Sequence, residues 1–175
     1  PKLDFHPAGS IGRTWQCGTI QLDFQMPERF ELEYTGEDGA KHRPIMSHRV
    51  VLGSIERFIG VITEHFAGAF PVWLAPVQVK VMTITDRRRD WALEVAKRLE
   101  AAGVRVEPDL RNAKIGYKTR AAQSLKIPYM LVLGDKEAEG GTVSVRTRAG
   151  GDKGAMPLDE FTAEILEQIK ARSLD

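Results

Sequence analysis

Two prolines, Pro71 and Pro76, divide the chain within the stretch FPVWLAPVQ, residues 70–78. Proline lacks a backbone N–H and fixes its own φ angle, so two prolines five residues apart interrupt any regular element. The hydrophobic pattern differs on the two sides of this interruption. Mostly alternating, strand-like segments precede it, and segments that switch between strand and helix periodicity follow it. We therefore predict two domains, one at residues 1–72 and one at residues 76–175.

The first domain is predicted to contain an antiparallel sheet. Residues 19–26 alternate between apolar and polar side chains, which is typical of a half-buried strand. Residues 29–39 repeat the alternation and end in a turn at Asp38-Gly39, and a further strand is predicted for residues 44–52. Consecutive alternating strands with short connections favour antiparallel pairing. The apolar face of the first strand consists of Ile20, Leu22, Phe24 and Met26.

A helix is predicted directly after Gly53-Ser54. Its apolar stripe has helical spacing and consists of Ile55, Phe58, Ile59, Ile62 and Phe66. Arg57 lies in the first turn but away from this stripe, where a cation is slightly unfavourable because the exposed N–H groups carry partial positive charge. Such an arginine can be presented to a bound anion or to an aromatic ring.

The second domain is predicted to alternate strands and helices. The near-continuous apolar run at residues 128–135 indicates a central strand that is buried on both faces. Ala92, Val95, Ala96 and Leu99 are predicted to face the core. Thr85 or Asp86 is predicted to cap the second domain's first helix, and Asn112 its second. The strands are predicted at residues 77–84, 104–110, 128–135 and 142–148, and the helices at residues 86–102, 114–126 and 158–173.

Common catalytic and targeting motifs are missing from the sequence. It contains no glycine-rich phosphate loop, no GxSxG and no closely spaced pair of Cys or His. The single cysteine excludes an intrachain disulfide, and a reducing cytoplasm is the simplest compartment. No apolar run approaches the roughly 20 residues that span a bilayer, so we expect no membrane association. Because the chain begins with Pro1, we expect a piece of a longer protein.

Two groups of polar residues leave more than one interpretation open. Cys17, Thr19 and Gln21 are spaced by two along a predicted strand, and their uncharged face could meet solvent or line a pocket for a small polar ligand. Residues 105–126 carry six basic and two acidic groups. This segment could be a solvated surface or the contact of an anionic partner such as a nucleic acid.

Several longer stretches together resemble the threonyl-tRNA synthetases, and the resemblance covers essentially the whole chain. The stretches are WQCGTIQLDF, GEDG, HRVVLGSIERFIGVITEHFAGAFPVWLAPVQV, DLRNAKIGYKTR, PYMLVLGDKE and VSVRTR. The block ending in SIERF is similar to the third signature motif of class II synthetases. The resemblance implies the C-terminal portion of an α+β, antiparallel-sheet class II catalytic domain. It also implies a following α/β anticodon-binding domain with a mixed five-stranded sheet.

The resemblance implies roles for residues of the first domain. Arg57 matches an arginine that packs against the adenine of ATP, and its charge would offset phosphate charge. Lys2 and Gln21 match positions near the reacting carboxylate and phosphate, so these three are the expected catalytic residues. The expected ATP- or substrate-binding residues are Gln16, Cys17, Thr19, Gln21, Ser54 and Arg57.

The resemblance also implies two metal ions. His48, which by itself would be a structural or surface histidine, matches one of three protein ligands to Zn²⁺. The other two ligands, a Cys and a His, are expected upstream of this chain. In the family this zinc binds the amino group and hydroxyl of threonine, which discriminates against valine. Mg²⁺ is expected to accompany ATP.

The second domain is expected to read the anticodon of tRNA(Thr). Arginine can bind guanine acceptors in bidentate fashion, and glutamate can accept from base N–H groups. The positions that match base or backbone contacts are Asn112, Lys114, Arg120, Glu137 and Arg146.

The implied activity is that of a threonine–tRNA ligase. It would convert threonine and ATP to threonyl-adenylate and transfer the threonyl group to the 3′ end of tRNA(Thr). We expect a homodimeric, cytoplasmic full-length enzyme and an inactive isolated chain, because the resemblance covers only part of the active site. The alternative is a non-catalytic RNA-binding module that uses the anticodon-binding fold.

Overall fold

The computed structural model describes residues 1–174 of the chain. Their contacts divide them into two compact units, one at Pro1–Ala67 and one that begins at Gly68. No helix within residues 1–174 is both long enough and apolar enough to cross a membrane.

The first unit is built on a three-stranded antiparallel sheet with the order β1-β2-β5. Strands β3 and β4 form a separate antiparallel pair. The predicted antiparallel sheet is therefore confirmed. The elements are β1 (Lys2–Phe5), β2 (Gly18–Asp23), α1 (Gln25–Arg29), β3 (Tyr34–Thr35), β4 (Lys41–His42), β5 (Met46–Val50) and α2 (Ile55–His65).

Two predicted strands of this unit are shorter than the alternation indicated. Asp23 Oδ1 accepts hydrogen bonds from the backbone N–H groups of Gln25 at 2.9 Å and Met26 at 3.0 Å. These bonds end β2 and begin α1, so Phe24 and Met26 leave the strand. The strand predicted at residues 29–39 is reduced to Tyr34–Thr35, because α1 extends to Arg29 and a left-handed residue (Glu31, φ 51°) follows.

The apolar side of this sheet is open to solvent. Ile20 is 36% exposed and Leu22 is 39% exposed, so the predicted half-buried face is wrong for the described residues. Within Pro1–Ala67, only Cys17, Gly18 and Pro27 are buried. Alternation correctly separated the two faces of the strand, but it carries no information on whether the apolar face is covered.

The second unit contains a mixed five-stranded sheet with the order β10-β9-β8-β6-β7. Strands β7 and β8 flank β6 in parallel, and β9 and β10 are antiparallel to their neighbours. All five residues of β8 are buried, which confirms the predicted central strand. The elements are β6 (Val79–Thr83), a 3₁₀ turn (Asp86–Arg88), α3 (Arg89–Ala101), β7 (Val106–Asp109), α4 (Ile115–Ser124), β8 (Tyr129–Leu133), α5 (Asp135–Gly140), β9 (Thr142–Thr147), β10 (Asp152–Pro157) and α6 (Leu158–Ala171).

Helices cover both faces of this sheet. The larger core includes the predicted inward residues of α3 and the buried face of α6. A smaller core on the other face joins the sheet to α4 and consists of Met82, Ala122, Ile127, Met130 and Val132. The predicted helix caps are wrong: a 3₁₀ turn precedes α3, and Lys114 occupies the N-cap position of α4. No side chain at these N-cap positions makes a capping hydrogen bond.

Candidate functional sites

The strand register brings three predicted site residues into one row. Lys2 lies opposite Gln21, and Gln21 lies opposite His48. Residues opposite each other in an antiparallel sheet share a face, with their Cβ atoms about 5 Å apart. The next row on the same face contains Asp4 and Thr19. The sheet of the first unit therefore has one polar face that collects residues from three separate segments.

Asp4 organises this polar face. Its Oδ1 accepts hydrogen bonds from Thr19 Oγ1 and from Gln16 Nε2, both at 2.7 Å, and its Oδ2 lies 3.1 Å from Lys2 Nζ. The hydrogen bond from Thr19 is the main reason that the pKa of Asp4 lies below its usual value; Lys2 and Gln16 act in the same direction and desolvation opposes them. Asp4 is thus ionised at neutral pH. Asp4 is absent from the predicted site residues, although Lys2 and Asp4 alternate with apolar residues in KLDF.

His48 is held by a neighbouring carboxylate. Its Nε2 lies 3.1 Å from Asp23 Oδ2, while the other oxygen of Asp23 accepts from the start of α1. The backbone N–H of Met26 is the largest cause of the lowered pKa of Asp23, followed by the bond to His48. Among residues 1–174 no three or more His, Cys, Asp or Glu side chains converge as metal ligands. The described residues therefore do not hold a metal by themselves.

The start of α2 places Arg57 beside the segment that leads into β2. Ser54 Oγ caps the helix by accepting from the backbone N–H of Arg57 at 3.2 Å. The Arg57 guanidinium donates to the carbonyl oxygen of Gln16 at 3.4 Å. Gly53 permits this approach: its φ is 68°, and a Cβ there would lie 3.0 Å from the carbonyl oxygen of Cys17.

Cys17 lies in a different environment from Thr19 and Gln21. It precedes β2, is buried, and helps to line an apolar cavity of about 650 Å³. Thr19 instead bonds to Asp4, and Gln21 is exposed. Other residues that line the cavity are Phe5, Ile20, Val51, Leu52, Phe58 and Val61.

The basic segment of the second unit separates into structural and free cations. Arg105 donates to the carbonyl oxygens of Ala75 and Trp73, and Arg111 forms a bidentate pair with Asp109. Lys118 is fully buried. Arg105 and Arg111 are exposed but bonded to other residues of this unit, and of the three only Lys118 is buried.

Lys114 and Arg120 are the free cations of this segment. Both are exposed, and neither side chain makes a hydrogen bond or ion pair with another residue in the described chain. They line an open hollow of about 650 Å³ together with Ile84 and Tyr117, and the Tyr117 side chain is 61% exposed. An exposed aromatic ring beside two free cations is an arrangement that binds single-stranded nucleic acid, through base stacking and phosphate contacts. Tyr117 is absent from the predicted site residues, although it lies within the basic run KIGYKTR.

The remaining predicted RNA contacts differ in their surroundings. Asn112 is exposed in the connection before α4. Glu137 Oε2 accepts from the backbone N–H of Gly134 at 2.9 Å, so this carboxylate caps α5. Arg146 lies 3.1 Å from Asp152 and opposite Met130, on the α4 side of the sheet.

Each of the two units matches the profile of a known protein family. The profile of the anticodon binding domain matches residues 78–168, and that of the tRNA synthetase class II core domain (G, H, P, S and T) matches residues 1–66. The chain therefore belongs to the anticodon binding domain family, and its residues 1–66 are similar to the class II core.

The curated relatives that it resembles are threonine–tRNA ligases. It is 64% identical over 174 residues to that of Desulforamulus reducens and 66% identical over 170 residues to that of Acetivibrio thermocellus. These alignments cover 99% and 97% of the chain but 27% of each relative. The chain therefore spans about a quarter of the length of these ligases.

Solved structures agree with the fold. The RNA binding domain of threonyl-tRNA synthetase from Cryptosporidium parvum Iowa II is 38% identical with a TM-score of 0.85, covering 95% of this chain and 42% of that chain. A prolyl-tRNA synthetase from Cryptosporidium parvum matches at 24% identity with a TM-score of 0.69, covering 98% of this chain and 41% of that chain. The second match supports the fold alone.

Proposed function

We propose that this chain is the C-terminal part of a cytoplasmic, homodimeric threonine–tRNA ligase. Its first unit would contribute to the ATP-dependent activation of threonine, and its second unit would recognise the anticodon of tRNA(Thr). The identity of 64% over 99% of the chain with a threonine–tRNA ligase carries this proposal. We propose 1–72 and 76–175 as the domain limits, and the division between compact units near Gly68 supports them.

The polar sheet face is the proposed substrate site. Arg57 would contact the adenine and offset phosphate charge, and Lys2 and Gln21 would lie near the reacting carboxylate and phosphate. The row formed by Lys2, Gln21 and His48 supports this assignment, because it presents all three on one face. The remaining proposed ATP- or substrate-binding residues are Gln16, Cys17, Thr19 and Ser54.

His48 is proposed as a single zinc ligand whose partners belong to the part of the ligase that this chain does not span. Metal-binding histidines commonly donate their second ring N–H to a carboxylate. The contact between His48 Nε2 and Asp23 fits that arrangement and leaves Nδ1 for the metal. Zinc would supply a Lewis acid for threonine selection, and Mg²⁺ would accompany ATP.

The class II core match over residues 1–66 argues against a module that only binds RNA. The full-length ligase should catalyse threonine-dependent exchange between ATP and pyrophosphate. The 175-residue chain alone should not, because the proposed site requires residues from elsewhere. Threonine-dependent exchange between ATP and pyrophosphate by the isolated chain would contradict the proposal that its active site is incomplete.

Anticodon recognition is proposed for Asn112, Lys114, Arg120, Glu137 and Arg146. The free cations Lys114 and Arg120 and the exposed ring of Tyr117 support an RNA contact at this surface. Arg146 is the proposed reader of the middle guanine, since its guanidinium can donate two parallel hydrogen bonds to guanine O6 and N7.

The test measures binding of the 175-residue chain to an RNA hairpin whose loop carries a threonine anticodon. A matched hairpin has adenine in place of the middle guanine. The wild-type chain should prefer the guanine hairpin, and R146A should reduce this preference by roughly 10- to 100-fold, corresponding to the loss of one bidentate base contact. R98A, at an exposed arginine paired with Asp159, is the control and should leave the preference unchanged. An unchanged preference in R146A would remove Arg146 from the readers.

A further inference from the structure

Three consecutive arginines, Arg87 to Arg89, occupy the turn between β6 and α3. Arg87 and Arg88 end the 3₁₀ turn, and Arg89 is the first residue of α3. Cations are disfavoured at a helix start, because its free N–H groups carry partial positive charge. Three adjacent cations also repel one another. A cost of this kind, without a gain for the fold, is expected at functional positions.

Only the middle arginine has a structural partner. Arg88 donates to Asp135 Oδ1 at 2.6 Å and to Glu139 Oε1 at 3.4 Å, which fixes the turn against α5. Arg87 and Arg89 are exposed, and their side chains bond to no other residue of the part of the chain that the structure describes. Arg88 therefore has a structural role in the fold, whereas the side chains of Arg87 and Arg89 have none that the contacts of the described residues reveal.

The arginine turn adjoins the hollow of the second unit. Ile84 lines this hollow together with Lys114 and Arg120, and the 3₁₀ turn begins two residues later. Asp86 and Asp90 flank the arginines on the same segment, and both carboxylates are exposed. Arg88 engages the acidic groups of α5. Arg87 and Arg89 are thus two exposed cations, unpaired among the described residues, on the segment that directly follows a residue lining the hollow.

We propose that Arg87 and Arg89 bind phosphates of the RNA that the second unit recognises. This inference rests on the proposed tRNA-binding function. Guanidinium groups match phosphate oxygens in bidentate fashion. Phosphate contacts position a nucleic acid without reading its sequence. The two arginines therefore add affinity and orientation, and they do not add anticodon selectivity.

The test compares R87Q/R89Q with wild type in the 175-residue chain, using the two anticodon hairpins over a series of salt concentrations. The logarithm of the binding constant falls as the logarithm of the salt concentration rises. Each lost phosphate contact makes this dependence shallower, reducing the magnitude of its slope by about one. For R87Q/R89Q we expect the magnitude of the slope to fall by about two, and the affinity for both hairpins to fall by the same factor. The control K97Q/K170Q removes the same charge from exposed lysines of α3 and α6.

A slope that is unchanged in R87Q/R89Q, or that changes equally in the control, would overturn the phosphate contacts. A loss confined to the threonine-anticodon hairpin would also overturn them, because it would indicate base reading. A wild-type chain that binds both hairpins equally would contradict the proposed anticodon reading. The slope would still decide the role of the arginines in that case, so the two failures are distinguishable.

Discussion

Lys118 shows how a residue counted among surface cations can instead be part of the core. Its Nζ donates to the carbonyl oxygens of Thr83 at 2.9 Å and Asp109 at 3.2 Å. It thereby ties α4 to the carboxyl ends of β6 and β7. Charge density over residues 105–126 could not separate this lysine from its neighbours. Helical spacing could have done so, because Lys118 shares its buried stripe with Thr119 and Ala122.

K118M should lower the free energy of unfolding of the second unit by about 2 kcal/mol. The substitution removes the charged donor that bonds to the carbonyl oxygens of Thr83 and Asp109, and a hydrogen bond from a charged group contributes more than a neutral one. Chemical denaturation of the 175-residue chain measures this change. The control K97M, at an exposed lysine of α3, should change the free energy of unfolding by less than about 0.5 kcal/mol. Equal effects of the two substitutions would contradict the structural role of Lys118.

The same lysine predicts a pH dependence of stability. Burial is the main cause of the lowered pKa of Lys118, whose unfolded-state value is 10.5. Between the folded pKa and 10.5 the unfolded state binds more protons, so stability rises with pH. The wild-type chain should therefore gain stability relative to K118M as pH rises through this window. Denaturation at pH 7 and at about pH 10 gives the comparison; a constant difference would contradict it.

The start of α2 is the element whose geometry depends most on one glycine. G53A should lower the free energy of unfolding of the first unit by about 1 to 2 kcal/mol. The φ of Gly53 is left-handed at 68°, and the added Cβ would lie close to the carbonyl oxygen of Cys17. Hydrogen exchange of α2 amides should become faster. G60A is the control within the same helix: its Cβ meets open space, and alanine favours a helix interior. Slower exchange in G53A would contradict the strained turn.

Predictability from sequence differed among the elements. The helices with strong apolar stripes and the buried strand β8 were predicted, because burial imposes a clear period on their sequences. The prediction missed α5, which has six residues and no apolar stripe. The resemblance correctly implied a five-stranded sheet, but the residue pattern did not locate its fifth strand, β10, whose pairing with β9 shifts register between Asp152 and Gly154. The row on the polar face required three strands to align, and no local pattern contains that information.

At the scale of the whole molecule, burial is distributed unequally between the units. Nearly all buried apolar side chains belong to the second unit. Since apolar burial dominates folding stability, amides of β8 should exchange with solvent far more slowly than those of β2. Hydrogen exchange followed by mass spectrometry measures both strands in one sample. Equal protection of β2 and β8 would show that the first unit is stabilised by something other than its own core.

The row of Lys2, Gln21 and His48 has a consequence for changes in chain length. These residues share a face only because each strand keeps its present register. Inserting or deleting one residue of β2 before Gln21 would transfer every following side chain of that strand to the opposite face. Gln21 would then point away from Lys2 and His48, although no residue of the row had been substituted. Length variation in this unit is therefore expected in the connections between strands, and the strands themselves should tolerate substitutions but not indels.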